Sequence, residues 1–258
     1  MDGATGQLQA GQRRGLRVEV LLVLGVSLGI SALYAAVNLL GSLTAKKPLS
    51  QQHAVLNASA APGRPWLDLS LQLLGILSAV IPALLAVYLL DRSGQPPSTI
   101  GLDTRAPRQD LVRGVLLALL IGIPGIGLYL AAHALGISLS VVAEALPAVW
   151  WRYPVLLLSA AENAVLEEVV VVGYLLTRLE RMGWRPNRAL LASATLRGSY
   201  HLYQGFGGFI GNFIMGLIFG RFFQNTRRVI PLIVAHSLID MVSFVGYALL
   251  KGHVSWLP

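Results

Sequence analysis

Long apolar runs restrict this chain more than any other feature of its sequence. They lie at roughly residues 18–40, 68–90, 110–132, 152–179, 187–204, 206–224 and 229–250. Each run is close to the ~20 residues that a helix needs to cross the hydrocarbon core of a bilayer. Because backbone polar groups inside a bilayer must bond to one another, we predict an all-α, polytopic transmembrane helical bundle of seven spans. The shorter apolar segment 137–150 is expected to be interfacial or re-entrant, and it adds an eighth span if it crosses.

Composition agrees with a membrane protein. Only 12% of the residues are charged and the mean hydropathy is +0.64, whereas soluble domains carry about 25% charged residues. The chain has no cysteine, which excludes disulfides, thiolate metal sites and a cysteine nucleophile. Its net charge of +8 does not indicate nucleic acid, because the basic residues lie between apolar runs and form no basic face with interleaved aromatics. We expect the lipid bilayer as a partner and no nucleic acid.

The basic residues also predict an orientation. With the N-terminus inside, 14 of the 20 Lys and Arg residues fall on the inside, five fall outside and Arg197 is left within a span. This bias predicts a multi-pass protein of the cell (inner) membrane with a cytoplasmic N-terminus and an external C-terminus. No small-residue cleavage site follows the first run, which is therefore expected to stay as a span. The Arg-rich, Lys-poor, Ala/Gly/Val-rich usage favours a bacterial source.

Seven ionisable residues lie at membrane depth, where a charge costs about 2.5–3.5 kcal/mol on insertion scales. They are Glu162, Glu167, Glu168, Arg197, His201, His236 and Asp240. Helix rise places four of them about 12–20 Å from the cytoplasmic arginine of each span. Glu167, His201, His236 and Asp240 therefore share one layer across three predicted helices, and this layer is the candidate site.

Spacing gives these side chains relative directions. His236 and Asp240 are four residues apart and face the same way, so a carboxylate there can fix the imidazole tautomer. Adjacent Glu167 and Glu168 point about 100° apart on a helix. One of the two is expected to face a cavity while the other forms a pair behind it.

A carboxylate and an imidazole in a dry cavity form a general acid/base pair. A water held between Glu167 and His201 could be deprotonated to attack an amide carbonyl, and a protonated His236 could stabilise the oxyanion. The set therefore suits hydrolysis of a peptide bond without a metal cofactor. A divalent metal held by the four residues of the layer stays open as an alternative, since nitrogen and oxygen ligands suit zinc and similar ions. The chain contains no H-E-x-x-H motif, and Ser199 is a weak nucleophile candidate because it points away from His201.

A small-residue pattern marks the sixth run. Gly208, Asn212, Gly216 and Gly220 recur every four residues, a spacing that lets helices approach closely in lipid. We predict a packing seam there, with Asn212 as a supporting residue that can hydrogen-bond across it.

Three motifs in order resemble those of a known family. The chain reads Glu167-Glu168 with Val172 four residues later, then Arg197 four residues before His201, then His236 four residues before Asp240. The corresponding patterns E-E-x-x-x-R, F-x-x-x-H and H-x-x-x-N/D are typical of the CAAX prenyl endopeptidases and their bacterial relatives, the CPBP (Abi) proteins. The resemblance implies a membrane-embedded, glutamate-dependent protease. It further implies that Glu167 activates water with His201, that His236 and Asp240 support the oxyanion, and that Glu168 is an accessory carboxylate.

The chain departs from this pattern at Val172, where the family has Arg, and at Arg197, where it has Phe. We hypothesise that Arg197 replaces the missing guanidinium and pairs with Glu168 or Glu162. The rival interpretation is that catalysis has been lost. Asp240 in place of Asn also weakens a direct oxyanion role, because an ionised Asp donates no hydrogen bond.

The resemblance covers about residues 155–245 and suggests a division of the chain. We expect a disordered cytoplasmic tail at 1–16, transmembrane helices and loops at 17–150, the catalytic core at 151–250 and a C-terminal tail at 251–258. The expected partner is a membrane-associated peptide or protein substrate, and the sequence does not fix the oligomeric state. Two alternatives stay open: a catalytically silent membrane adaptor and a small proton-coupled transporter, although no inverted repeat is evident.

Overall fold

A computed structural model describes residues 10–254, and helices make up most of it. The helices are α1 (Ala10–Gly25), α2 (Leu28–Thr44), α3 (Pro65–Arg92), α4 (Pro107–Ala134), α5 (Arg152–Glu167), α6 (Leu175–Arg181), α7 (Pro186–Tyr200), α8 (Phe206–Thr226) and α9 (Ile230–Leu250). A π-helical segment, Glu168–Tyr174, joins α5 to α6 without a break. The predicted all-helical membrane bundle is confirmed.

The predicted N-terminal and C-terminal tails can be compared with the structure only over the residues that it describes. Helix α1 begins at Ala10, so residues 10–16 are helical rather than disordered. The remaining parts of the predicted tails, residues 1–9 and 255–258, lie outside the described residues.

Within residues 10–254, four helices are long and apolar enough to cross a membrane, namely α3, α4, α8 and α9. Helices α1 and α2 meet at 54° and give a fifth crossing if the bent pair is one span. The run from α5 to α6 is continuous, whereas α7 has only 15 residues, which is about 22 Å of helix. The molecule is a multi-pass membrane protein, and the count of seven spans stays a prediction.

The first apolar run is bent rather than straight. The Ser27 hydroxyl donates to the Val23 carbonyl at 2.6 Å, one turn back along the helix. A Cβ on Gly29 would lie 2.7 Å from the Leu24 carbonyl oxygen, so the chain folds back there more closely than a larger residue permits. A side chain bonded to the backbone next to glycine is a usual cause of such a kink.

A small parallel sheet lies where the sequence predicted only loop and interfacial structure. Strand β1 (His53–Ala58) pairs with β2 (Ser140–Ala145), with His53 opposite Ser140. Six residues are too few to cross a bilayer, since even a tilted transmembrane strand needs about 9–11. The segment 137–150 therefore adds no eighth span.

The sheet is tied to the turn between α7 and α8. The Leu139 amide donates to the Gln204 carbonyl at 3.0 Å, and the Phe206 amide donates to the Ile137 carbonyl at 2.9 Å. Strand β2 also packs against α9. The sheet thus fixes the turn that directly follows His201.

The predicted seam on α8 is present at two of its four positions. A Cβ on Gly216 would lie 2.9 Å from Cα of Ala194, and one on Gly220 would lie 2.5 Å from Cδ1 of Leu190. Both contacts are with α7, so these glycines set the distance between the two helices. The Asn212 amide instead donates to the Gly208 carbonyl at 3.0 Å, within its own helix. The expected bond across the seam is therefore wrong, because a carbonyl one turn back is the nearer acceptor.

Arg178 is one of the 14 basic residues that the sequence places on the inside, and the structure shows it fully buried. Its guanidinium donates to Glu19, Ser93, Gln95 and the Leu89 carbonyl, each at 2.8 Å. This network joins α1, the end of α3 and α6. The carboxylate of Glu19 compensates the buried charge, as such burial requires.

Candidate active site

The π-helical segment positions the two adjacent glutamates. Glu167 is the last residue of α5 and Glu168 the first of the wider turns, which contain the β-branched run Val169–Val172. A π turn displaces backbone carbonyls from their usual donors. The Ser193 hydroxyl of α7 donates to the Val171 carbonyl at 2.7 Å, and this bond joins the widened segment to the helix that carries Arg197 and His201.

Glu168 forms the centre of the buried polar group. Its Oε1 accepts hydrogen bonds from Nη2 of Arg197 and from Nδ1 of His236, the latter at 2.8 Å. The side chains of Glu168 and Arg197 are both fully buried. The pairing of Arg197 with Glu168 expected from the sequence is present, and it links α7, the π segment and α9.

Arg197 is incompletely satisfied. Its Nε and Nη1 have no hydrogen-bond partner, a costly condition for a buried polar group. The guanidinium lies 5.4 Å from the centroid of the Phe219 ring, and a cation over an aromatic face offsets part of that cost. A Cβ on Gly216 would lie 3.3 Å from Cδ of Arg197, so the glycine makes room for the side chain.

Glu167 is contacted at one of its two oxygens. Its Oε2 accepts from the Tyr200 hydroxyl at 2.8 Å and from Nη2 of Arg197 at 3.3 Å. Nε2 of His236 is 4.0 Å from the same oxygen. Oε1 makes none of these contacts, and it is therefore the oxygen left to accept a hydrogen bond from water.

His236 lies among three carboxylates. Its Nδ1 is bonded to Glu168, while its Nε2 is 3.7 Å from Oδ2 of Asp240. A distance of 3.7 Å is beyond a normal hydrogen bond. The expectation that Asp240 fixes the imidazole tautomer is therefore wrong: Glu168 fixes it, because the π segment brings that carboxylate closer than the helical neighbour.

His201 ends α7 and is held by its own helix. Its Nδ1 is 3.0 Å from the Arg197 carbonyl, so Nδ1–H donates there and Nε2 of the neutral ring is an acceptor. The ring packs between Tyr200 and Tyr203, with centroids 4.8 and 6.3 Å away.

Of the predicted layer, Glu167, His236 and Asp240 are brought together. His201 lies beside Tyr200, and Asn212 is apart from the group. Glu167, Glu168, Arg197 and His236 are in direct contact, and Asp240 adjoins His236. Glu162 interacts electrostatically with Glu167 and Asp240.

Comparison with known proteins bears on this group of residues directly. Residues 148–242 match the family model described as type II CAAX prenyl endopeptidase Rce1-like. The resemblance to the CAAX endopeptidases is confirmed. The Rce1-like segment contains all seven ionisable residues that the sequence predicts at membrane depth, and the match indicates similarity to hydrolases of the CAAX protease type. No curated protein and no solved structure matched the chain.

Sequence reasoning missed Tyr200 in the Rce1-like segment. Its hydroxyl contacts Glu167, and the residue is buried. The available signal was position, since Tyr200 directly precedes His201 and follows Arg197 by three residues on the same helix. A tyrosine is ordinary in an apolar span, so nothing about its residue type drew attention.

A metal ion has one plausible set of donors among residues 10–254. Ligand atoms of Glu167, Glu168 and His236 lie within 4.8 Å of one another, and carboxylate and imidazole ligands suit zinc and similar ions. The set differs from the one expected from the sequence, because Glu168 takes the place of His201 and Asp240. The guanidinium of Arg197 already occupies Oε1 of Glu168, and a metal on that oxygen would have to displace it.

Proposed function

We propose that this protein is an intramembrane endopeptidase that hydrolyses a peptide bond with a water activated by Glu167 and His201. The observation that carries the proposal is the arrangement of Glu167 within the Rce1-like segment. Oε2 is held by two donors and Oε1 is left for water. The ring of His201 packs against Tyr200, which is one of those two donors.

The chemistry is a general-base hydrolysis. Oε1 of Glu167 removes a proton from the water, whose oxygen attacks the carbonyl carbon and forms a tetrahedral oxyanion. The C–N bond then breaks, and the proton held by Glu167 passes to the leaving amine. The products are a carboxylic acid and an amine, and the enzyme returns to its starting state. His201 orients the water through Nε2 and can share the proton.

His236 is the proposed donor to the oxyanion. Glu168 holds its Nδ1, which leaves Nε2 directed towards Glu167 and Asp240. When Nε2 carries a proton, it can stabilise the developing charge. Asp240 is assigned to holding that ring by charge, because an ionised carboxylate donates no hydrogen bond.

The catalytic type, the membrane, the orientation and the substrate class are further parts of the same proposal. We infer a glutamic-type, metal-independent enzyme of a bacterial inner membrane, with a cytoplasmic N-terminus and a membrane-associated peptide or protein substrate. The pairing of Arg197 with Oε1 of Glu168 supports metal independence, since it leaves only Oε2 of that carboxylate unpaired. Elemental analysis of the purified protein, together with activity in the presence of a chelator, tests it: a stoichiometric metal whose removal stops cleavage would refute this part.

Variants of the two activating residues test the activity. We expect Glu167→Gln and His201→Ala each to reduce cleavage by about 10²–10⁴-fold, the usual contribution of a general base, while thermal unfolding stays cooperative. Membrane proteomics of cells that carry Glu167→Gln should reveal the uncleaved substrate.

The control variant is Ser199→Ala. Ser199 is half-buried and its hydroxyl donates to the Thr195 carbonyl of its own helix at 2.7 Å, so its loss should leave cleavage unchanged. A large loss in that variant would favour a serine nucleophile instead. Unchanged peptide processing in Glu167→Gln would favour a silent adaptor, to which the departures at Val172 and Arg197 also point. Proton uptake without hydrolysis would favour a transporter.

A further inference from the structure

Glu162 is a buried carboxylate that the proposed mechanism does not use. It lies on α5 with 9% of its surface exposed, and its Oε1 has no hydrogen-bond partner. The charges that act on it are those of Glu167 and Asp240, and both have the same sign as its own when ionised.

Other buried carboxylates between residues 10 and 254 differ from Glu162 in having a donor. Glu144 pairs with Arg152, and Asp110 pairs with Arg228. Asp68 accepts from the Ser59 hydroxyl and the Ala60 amide. Glu167 and Glu168 share Arg197 and His236 as described above. Buried acids in this protein are therefore compensated as a rule, and Glu162 is the exception in the described part of the chain.

An uncompensated acid beside two others is unfavourable inside a membrane bundle. A cation that joined the group would relieve the repulsion and form charge-assisted hydrogen bonds, which are stronger than neutral ones. The side chains of Asp240 and Glu167 are 19% and 11% exposed, so a group from outside the protein can reach the acids next to Glu162.

We propose that Glu162, together with Asp240, forms a subsite that binds the basic side chain of a Lys or Arg residue near the scissile bond of the substrate. The inference rests on the proposed peptidase function and adds a substrate class to it. Glu162 is then a specificity-determining residue rather than a catalytic one. Its unfavourable environment in the free protein is relieved when the substrate's cation is bound.

The test uses matched peptides and the full-length protein in liposomes. A cleaved sequence is synthesised with Lys, Arg, norleucine or Glu at each position that flanks the cleavage site. At one position, we expect Lys and Arg to raise kcat/KM by about 10- to 100-fold over norleucine. Glu162→Gln should remove that preference and leave the kcat/KM of the norleucine peptide within about twofold of wild type.

A control variant and melting temperatures show whether the peptidase proposal or the subsite proposal has failed. Glu180→Gln is the control, because Glu180 pairs with Arg227 at the far end of α6 and should leave the preference intact. Binding of the same peptides, measured by the shift in melting temperature, should show the Lys-over-norleucine preference in wild type and its loss in Glu162→Gln, even if no peptide is cleaved. Unliganded Glu162→Gln should melt at or above the wild-type temperature, because it loses an uncompensated acid.

The outcomes differ for the two proposals. Selective binding without cleavage would refute the peptidase and leave the cationic subsite standing. Equal treatment of Lys and norleucine by wild type, or a preference that survives in Glu162→Gln, would overturn the subsite alone.

Discussion

At the scale of single residues, one guanidinium organises the candidate site. Arg197 contacts both Glu167 and Glu168, and Glu168 in turn holds His236. The pair of Arg197 with Glu168 could be predicted from the sequence. The family's arginine is missing at Val172 and an arginine is present on the next helix, and an unpaired charge in lipid is costly. The sequence did not allow Tyr200 to be predicted, since no cost is attached to a tyrosine in a span.

Moving the arginine from position 197 to position 172 tests whether Arg197 replaces the arginine that is typical of the CAAX endopeptidases. Arg197→Phe alone leaves Glu168 buried without its cation, which we expect to cost about 3–5 kcal/mol and to abolish cleavage. Adding Val172→Arg returns a guanidinium to the helix where the family carries it. The double variant should therefore recover part of the melting temperature and of the activity.

The control places the arginine one residue away. Val171→Arg with Arg197→Phe carries the same charge on the same segment, yet it points about 100° from position 172 on a regular helix, so no recovery is expected. A Val172→Arg double variant no better than Arg197→Phe would show that the arginine has not simply moved.

At the scale of elements, the site depends on irregular structure that local patterns do not show. The π turns after Glu167 bring Glu168 to His236, and the parallel pairing of 53–58 with 140–145 fixes the turn after His201. The apolar runs predicted most of the long helices because burial in lipid imposes their length. The widened turns and the two distant strands form only when other elements supply their partners, such as Ser193 for the Val171 carbonyl.

The contact between α7 and α8 gives a test at this scale. In Gly216→Ala, the new methyl would lie 2.9 Å from the Ala194 backbone and 3.3 Å from Arg197. The helices would have to separate, so we expect a loss of about 1–3 kcal/mol of stability and a fall in activity as Arg197 shifts. Thermal unfolding and the cleavage assay measure the two effects.

Gly246→Ala on α9 is the matched control. A Cβ there meets nothing within 4 Å, and alanine stabilises a helix interior by about 0.5–1 kcal/mol relative to glycine. Equal behaviour of the two variants would mean that the close approach at Gly216 does not matter.

At the scale of the whole molecule, two ionic networks outside the site hold the ends of the helices together. Arg178 joins α1, α3 and α6, and Arg228 joins the link between α3 and α4 to the start of α9. From the distribution of basic residues, the sequence predicts that these arginines lie at one membrane face. It could not indicate which of them are buried, because that depends on where Glu19, Asp103 and Asp110 lie in the fold.

The second network gives a prediction for acid stability. Arg105 donates to Asp103 through its side chain and its backbone amide, and Arg228 adds further bonds. These donors lower the pKa of Asp103 below its ordinary value. Because the folded pKa lies below the unfolded value of about 3.9, the contribution of Asp103 is present above that value and is lost as the pH falls towards the folded pKa.

We therefore expect the wild-type melting temperature to fall between about pH 5 and pH 2, and Asp103→Asn to fall less steeply while starting lower at neutral pH. Asp91→Asn is the control, since Asp91 is exposed and has no ion pair in the described part of the chain, and it should keep the wild-type slope. Melting curves in detergent at each pH measure the three slopes. An Asp103→Asn slope equal to that of wild type would mean that the network between the link and α9 does not contribute to folding, and the loss in acid would then have to come from other carboxylates.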